Sequence, residues 1–181
     1  MSFNIEEAHL KLYEHACKED TTWFEFYLKS IAFHFSLVSA LLGATVAGAL
    51  QAEPGFPMAA LLAGPIMTAF AAYLGFSSAN RLYGTWLEKV TIRAKLEQKM
   101  GLTAEHHVET GYWSNESIVP TRNTADRSSF SSSREFIEAK LGLGYNLRTR
   151  RLFEAASAVA LAMFVGIGWT AYSTWPSLVP T

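Results

Sequence analysis

The stretch IAFHFSLVSALLGATVAGAL at residues 31–50, followed after a seven-residue turn by MAALLAGPIMTAFAAYLGF at residues 58–76, decides how this chain folds. The first run contains no charged residue and one titratable one, His34; the second, 19 residues long, contains none. A bilayer core about 30 Å thick is crossed by roughly 20 apolar residues rising about 1.5 Å each in a helix, so each run is long enough to span. Between them Pro54, Gly55 and Pro57 end a helix and reverse the chain. The spacing therefore predicts a tight transmembrane hairpin over 31–76.

Working outward, a third apolar run extends from Ala155 to Trp175, with Arg148, Arg150 and Arg151 before it and Trp169, Tyr172 and Trp175 closing it. Glu154 stands at its entrance, within reach of headgroups. Thirty residues precede the first run, six of them acidic (Glu6, Glu7, Glu14, Glu19, Asp20, Glu25). That is unlike the short basic leader of a cleaved signal, so the first span is expected to be a permanent anchor. The expected fold class is all-α: an integral membrane protein with three transmembrane helices, a hairpin plus a C-terminal span, and cytoplasmic helices.

The distribution of Lys and Arg gives an orientation. Of the fifteen, residues 1–30 hold three, the turn none, residues 77–151 twelve and the tail none. Positive charge stays on the cytoplasmic side, so the N-terminus and 77–151 are expected inside, the turn and C-terminus outside. The expected location is the bacterial cytoplasmic (inner) membrane. Four regions follow: a cytoplasmic N-terminal amphipathic helix and interfacial segment (1–30), the hairpin (31–76), a cytoplasmic helix, Ser-rich linker and short helix (77–151), and the C-terminal span with its outside tail (152–181).

Within 1–30, Asn4 and Glu7 have capping-box spacing, and Ile5, Ala8, Leu12 and Ala16 recur at helical spacing. Thr22 and Glu25 repeat the capping signal, predicting a second helix that runs on to Leu50. Trp23, Phe24, Phe26 and Tyr27 stand where amphipathic rings favour the headgroup level. Beyond the second span, residues 77–100 lack proline and put Leu82, Trp86, Val90 and Ala94 on one face. This predicts a stalk, ending near Gly101, whose apolar stripe meets another subunit. From Thr103 to Ser133 periodicity is lost, then Ser132 and Glu135 predict a capped short helix to about Leu141, broken by Gly142 and Gly144.

Small residues recur every fourth position in each span. The first carries Ser36, Ala40, Ala44 and Gly48, with Ser39, Gly43 and Ala47 beside them; the second Ala60, Gly64, Thr68 and Ala72; the third Ala158, Ala162, Gly166 and Thr170. Small side chains let helix backbones approach closely, and in lipid such packing drives association. The candidate packing or oligomer residues are Ala40, Gly43, Ala44, Ala47, Gly48 and Gly64 within the spans and Leu82, Trp86 and Val90 on the stalk. His34, an ionisable group about one turn into the first span, is the candidate for a pore or proton site.

Chemistry is otherwise sparse. Glu105, His106, His107 and Glu109 are the densest potential ligands, but adjacent histidines on a loop point apart and no second pair supports them, so no metal or other cofactor is expected. The sole cysteine, Cys17, has no intrachain disulfide partner. There is no Gly-rich phosphate loop, nucleophile elbow or convergent carboxylate pair, so no catalytic residues are assigned and an enzyme is not expected. The net charge of −1 argues against a nucleic-acid partner.

The order of elements, with the charged helix RLYGTWLEKVTIRAKLEQKMGL at residues 81–102, resembles the RipA family of octameric bacterial inner-membrane proteins over residues 1–102. The resemblance implies a homo-oligomer, an octamer by analogy, and carries over no catalytic residue. The hairpin followed by a cytoplasmic helix is also similar to two-span effectors of bacterial defence systems, which implies permeabilisation by oligomers. The expected function is a self-associating membrane assembly or scaffold whose partners are its own copies and membrane lipids. The alternative is a channel or pore-forming effector with the first span and His34 lining a path.

Overall fold

A computed structural model of the chain describes residues 5–51, 58–102 and 129–174. The described residues are helical, with no strand among them: α1 spans Ile5–Gln51, α2 Met58–Lys99, α3 Ser133–Leu141 and α4 Gly144–Thr174. Three helices are long and apolar enough to cross a membrane. The turn at 52–57, the Glu105–Glu109 group, Asn4 and the tail after Thr174 lie outside the described residues.

The caps explain where the helices stop. At the end of α2, Gly101 adopts a φ of 72°, which costs glycine nothing and strains other residues. Its N–H donates to the Gln98 carbonyl at 3.1 Å, and the Leu102 N–H reaches back to Glu97 at 2.9 Å. This pairing satisfies carbonyls left over at a helix C-terminus. At the start of α3 the Ser132 side chain accepts from the Glu135 N–H, and the Glu135 carboxylate accepts from the Ser131 N–H and hydroxyl. Those bonds hold the Glu135 carboxyl below its ordinary pKa.

The Thr22–Glu25 signal does not begin a helix, because α1 is continuous from Ile5 to Gln51. The Thr22 hydroxyl instead donates to the Lys18 carbonyl at 2.8 Å and that of Thr21 to the Cys17 carbonyl at 3.1 Å. A threonine can bond back one turn as well as forward to a cap, and with no breaker nearby the helix carries through. Pro65 likewise lies inside α2, which continues past it.

The chain divides into two compact units. Unit 1 holds the N-terminal part of α1 up to Tyr27, α2 from Arg81 and α3. Its core is aromatic: the ring of Tyr27 lies 5.2 Å from Tyr83, Phe24 lies 5.0 Å from Trp86, and Ala16, Leu87, Val90 and Phe136 are buried. Phe24 and Tyr27, expected at the headgroup level, thus pack against α2, because helical spacing sets them on the same side as Ala16. Burial pushes the Tyr83 phenol above its ordinary pKa.

Unit 2 holds α1 from Leu28, α2 up to Asn80 and α4 from Tyr145. Here α1 and α2 run antiparallel, since Gly48 touches Leu61, Thr45 crowds Gly64, and His34 crowds Gly75. A Cβ at Gly75 would fall 2.5 Å from the ring of Phe153 and 3.0 Å from the Cβ of His34, so the three helices meet closely at this level. Asn146 donates to the side-chain oxygen of Asn80 at 2.9 Å and ties α4 to α2.

Candidate functional site

The small-residue faces of the three apolar helices meet different fates. That of α2 turns inward: Thr68 and Ala72 are fully buried, and Gly64 is pressed against Thr45. The hydroxyls on this seam stay within their own helices, Thr45 donating to the Leu41 carbonyl at 2.7 Å and Thr68 to that of Gly64 at 2.9 Å. No polar donor is left to lipid there. The outer face of α2 is large and apolar, with Ile66, Met67, Phe70, Tyr73 and Leu74 all exposed.

The first helix is arranged the other way. Val38 and Thr45, seven apart, are buried and mark its inward side. At 3.6 residues per turn, Ser36, Ala40, Gly43 and Ala47 fall on the far side. All four are exposed, as is Ala44, and nothing from another helix lies within 4 Å of where a Cβ on Gly43 would be. Gly48 is half-buried against Leu61. Phe33 and Leu37 flank the far-side strip on one edge, Val46 and Leu50 on the other. The result is a shallow trough of small residues between large ones.

The last helix repeats this pattern. Asn146, Phe153 and Ala160 are buried on its inward side. On the opposite side Ala158, Leu161, Ala162, Val165, Gly166 and Trp169 line an apolar groove of about 640 Å³.

His34 lies on the inward side of α1, half-buried, with Nδ1 at 2.8 Å from the Ser30 carbonyl. A carbonyl oxygen only accepts, so Nδ1–H donates there, one turn back along the same helix.

The stalk residues are placed differently from the expectation. Val90 is 7% exposed and Leu82 and Trp86 are half-buried, all within unit 1. The stripe is covered within its own chain by the N-terminal part of α1. The reason is a polar cluster that the apolar pattern does not announce. Asp20, buried on α1, accepts from the Trp86 indole Nε1 at 2.5 Å and from Arg93, whose Nε also lies 3.1 Å from the buried Glu97. Nearby Lys89 pairs with Glu19 at 2.9 Å, and this bond holds the Glu19 carboxyl below its ordinary pKa. Tyr13 is raised by burial and by its bond to Cys17. The one sequence signal for the cluster is spacing: Asp20 stands four after Ala16 and seven before Tyr27, on the buried side. Among the described residues no group of three or more His, Cys, Asp or Glu could hold a metal.

Comparison with protein-family models, with curated proteins and with solved structures gives no match.

Proposed function

We propose that the chain is a self-associating inner-membrane protein, crossing the bilayer three times with unit 1 in the cytoplasm and the C-terminus outside, and joined to further copies through the far face of α1. A single contrast carries this reading. The outer face of α2 is built of Ile66, Met67, Phe70 and Leu74, whereas that of α1 is built of Ser36, Ala40, Gly43, Ala44 and Ala47. Lipid tails are as apolar as leucine, and large side chains suit them. Small side chains gain nothing from lipid and permit close backbone approach by another helix, which is where packing energy in a membrane arises. The hairpin itself needs only the inward small face of α2, so the strip on α1 is left for a neighbour.

The test uses disulfide trapping in native membranes on a Cys17→Ser background. Ala40→Cys, Gly43→Cys and Ala47→Cys are expected to yield linked dimers on oxidation, with Met67→Cys and Phe70→Cys yielding none. Crosslinking at the α2 positions and not at the α1 positions overturns the assignment. So does a strictly monomeric mass by light scattering at all detergent-solubilised concentrations.

A further inference from the structure

Four cations of unit 1 pair with carboxylates: Lys11 with Glu7, Lys89 with Glu19, Arg93 with Asp20 and Glu97, and Arg134 with Glu138. The arginines that open α4 are not. Arg148 and Arg151 are exposed, and none of Arg148, Arg150 and Arg151 forms an ion pair with a described carboxylate. Glu154, four positions after Arg150, is exposed and pairs with none of them. Arg150 is fixed in place: its guanidinium stacks 4.9 Å from the centre of the Phe76 ring, and its Nε is buried with no hydrogen-bond partner among the described residues. A stacked guanidinium keeps its outer N–H edge available, in the planar fork that suits phosphate.

The same helix continues this charged end into an apolar groove. With 3.6 residues per turn, Arg148, Arg151, Ala155, Ala158, Ala162 and Gly166 share the side opposite Phe153. The groove begins about two turns past Arg151 and runs from Ala158 to Trp169. That is ~16 Å at 1.5 Å per residue, centred near the middle of a core about 30 Å thick, so an acyl chain descending from the arginines enters its upper part. Long arginine side chains reach back toward the headgroup plane while their stems cover apolar surface.

We infer that α4 carries a binding site for one anionic phospholipid, its headgroup phosphate held by Arg150 and Arg151 with Arg148 beside them, and an acyl chain lying in the groove beneath. The excess positive charge selects the occupant. A second α4 packed in parallel on this face would bring like charges together, whereas a lipid phosphate neutralises them. The site is distinct from the α1 strip that joins copies.

The probe is phosphatidylglycerol, with phosphatidylcholine as the neutral comparison, added to the full purified chain in mixed micelles and counted as bound lipid by native mass spectrometry. Phosphatidylglycerol is expected to be retained over phosphatidylcholine. Charge-assisted bonds of this kind contribute enough that Arg150→Gln and Arg151→Gln should each weaken retention about tenfold. Arg151→Lys should keep most of the retention, Glu154→Gln should strengthen it, and the ion-paired Arg134→Gln should leave it unchanged. Ala162→Leu fills the groove with every arginine intact and should also lower retention, with the melting temperature reporting that each variant is folded. Equal retention of the two lipids, or full retention in the folded Arg150→Gln and Arg151→Gln variants, overturns the site. Displacement of the lipid by millimolar inorganic phosphate makes it a free-anion site and overturns the lipid assignment. Loss of self-association rather than of lipid in Ala162→Leu makes the groove a protomer contact and also overturns it. Failure of disulfide trapping on α1 leaves these readouts untouched, so the two proposals fail separately.

Discussion

Gly64 of α2 lies against Thr45 of α1 with no room for a methyl group: a Cβ there would fall 3.0 Å from Thr45 Cγ2 and closer still to Oγ1. The atoms that would have to move belong to a stiff β-branched side chain whose hydroxyl is bonded to the Leu41 carbonyl. Gly64→Ala should therefore destabilise unit 2 by about 1–3 kcal/mol, the usual cost of overpacking. Thr45→Ala opens that space, so the double variant should recover most of the loss. Thermal melts of the four proteins in one detergent check this, and additive losses in the double variant would show that the two residues do not meet.

In unit 1 the Asp20 carboxylate joins Trp86 and Arg93 of α2 to α1. Removing Asp20 leaves the Trp86 indole without its acceptor and Arg93 with Glu97 as its remaining carboxylate, a loss of about 3 kcal/mol. Asp20→Ala should thus cost about that much, and Asp20→Asn less, because the amide oxygen still accepts from the indole. Trp86→Phe keeps the ring stacking on Phe24 and loses only the hydrogen bond, so it should be the mildest, at about 1–3 kcal/mol for a buried acceptor left unpaired. Limited proteolysis of unit 1 ranks the three. Equal protection in Asp20→Ala and wild type would place the pair outside the fold's stability.

The Glu19–Lys89 pair gives an acid dependence whose sign is fixed. Its bond to Lys89 lowers the Glu19 carboxyl below 4.5, the ordinary value. The pair therefore stabilises unit 1 fully above that ordinary value, and the contribution disappears as pH falls through the lower, folded-state value. Lys89→Met should flatten the fall in melting temperature across this window. The lowered carboxyl of Glu135, held by Ser131, leaves a residual slope. Because the pair is partly open to solvent, added salt should flatten the wild-type profile in the same direction. A Lys89→Met profile that parallels wild type at every salt concentration would mean the pair contributes nothing.

How much of this was legible in the sequence depends on which physical signal carried it. The three apolar helices were legible because charge-free runs of 19 or more residues have few alternatives, and the ends at Ser132 and Gly101 because capping uses local atoms. The continuity of α1 through Thr22 was not, since a threonine hydroxyl serves a cap or its own preceding turn equally well. Periodicity likewise identified the face made by Leu82, Trp86 and Val90 but not its partner. That partner was hidden because Asp20 and Arg93 look like surface charges until each is seen to complete the other. The separation of the small-residue strips into the inward one of α2 and the outward ones of α1 and α4 needed the packing itself. Val38, Thr45 and Phe153 had to be placed before the far sides were defined.

Val90→Glu and Gly43→Leu should therefore break different things. Val90 is buried in unit 1, as is Leu87, and the cation three positions on, Arg93, already serves Asp20 and Glu97. An unpaired buried carboxylate is costly, so Val90→Glu should open unit 1 to protease while membrane insertion stays intact, because no apolar span is altered. Gly43, by contrast, faces open space in its own chain. Gly43→Leu should leave the monomer's stability within about 0.5 kcal/mol of wild type, as surface changes usually do. It should nevertheless weaken association, because the added side chain holds a neighbouring backbone away. Protease protection and disulfide trapping at Ala40→Cys, measured on both variants, separate the two effects. Trapping that survives in Gly43→Leu, together with trapping lost in Val90→Glu, would move the contact between copies from the α1 strip to the helices of unit 1.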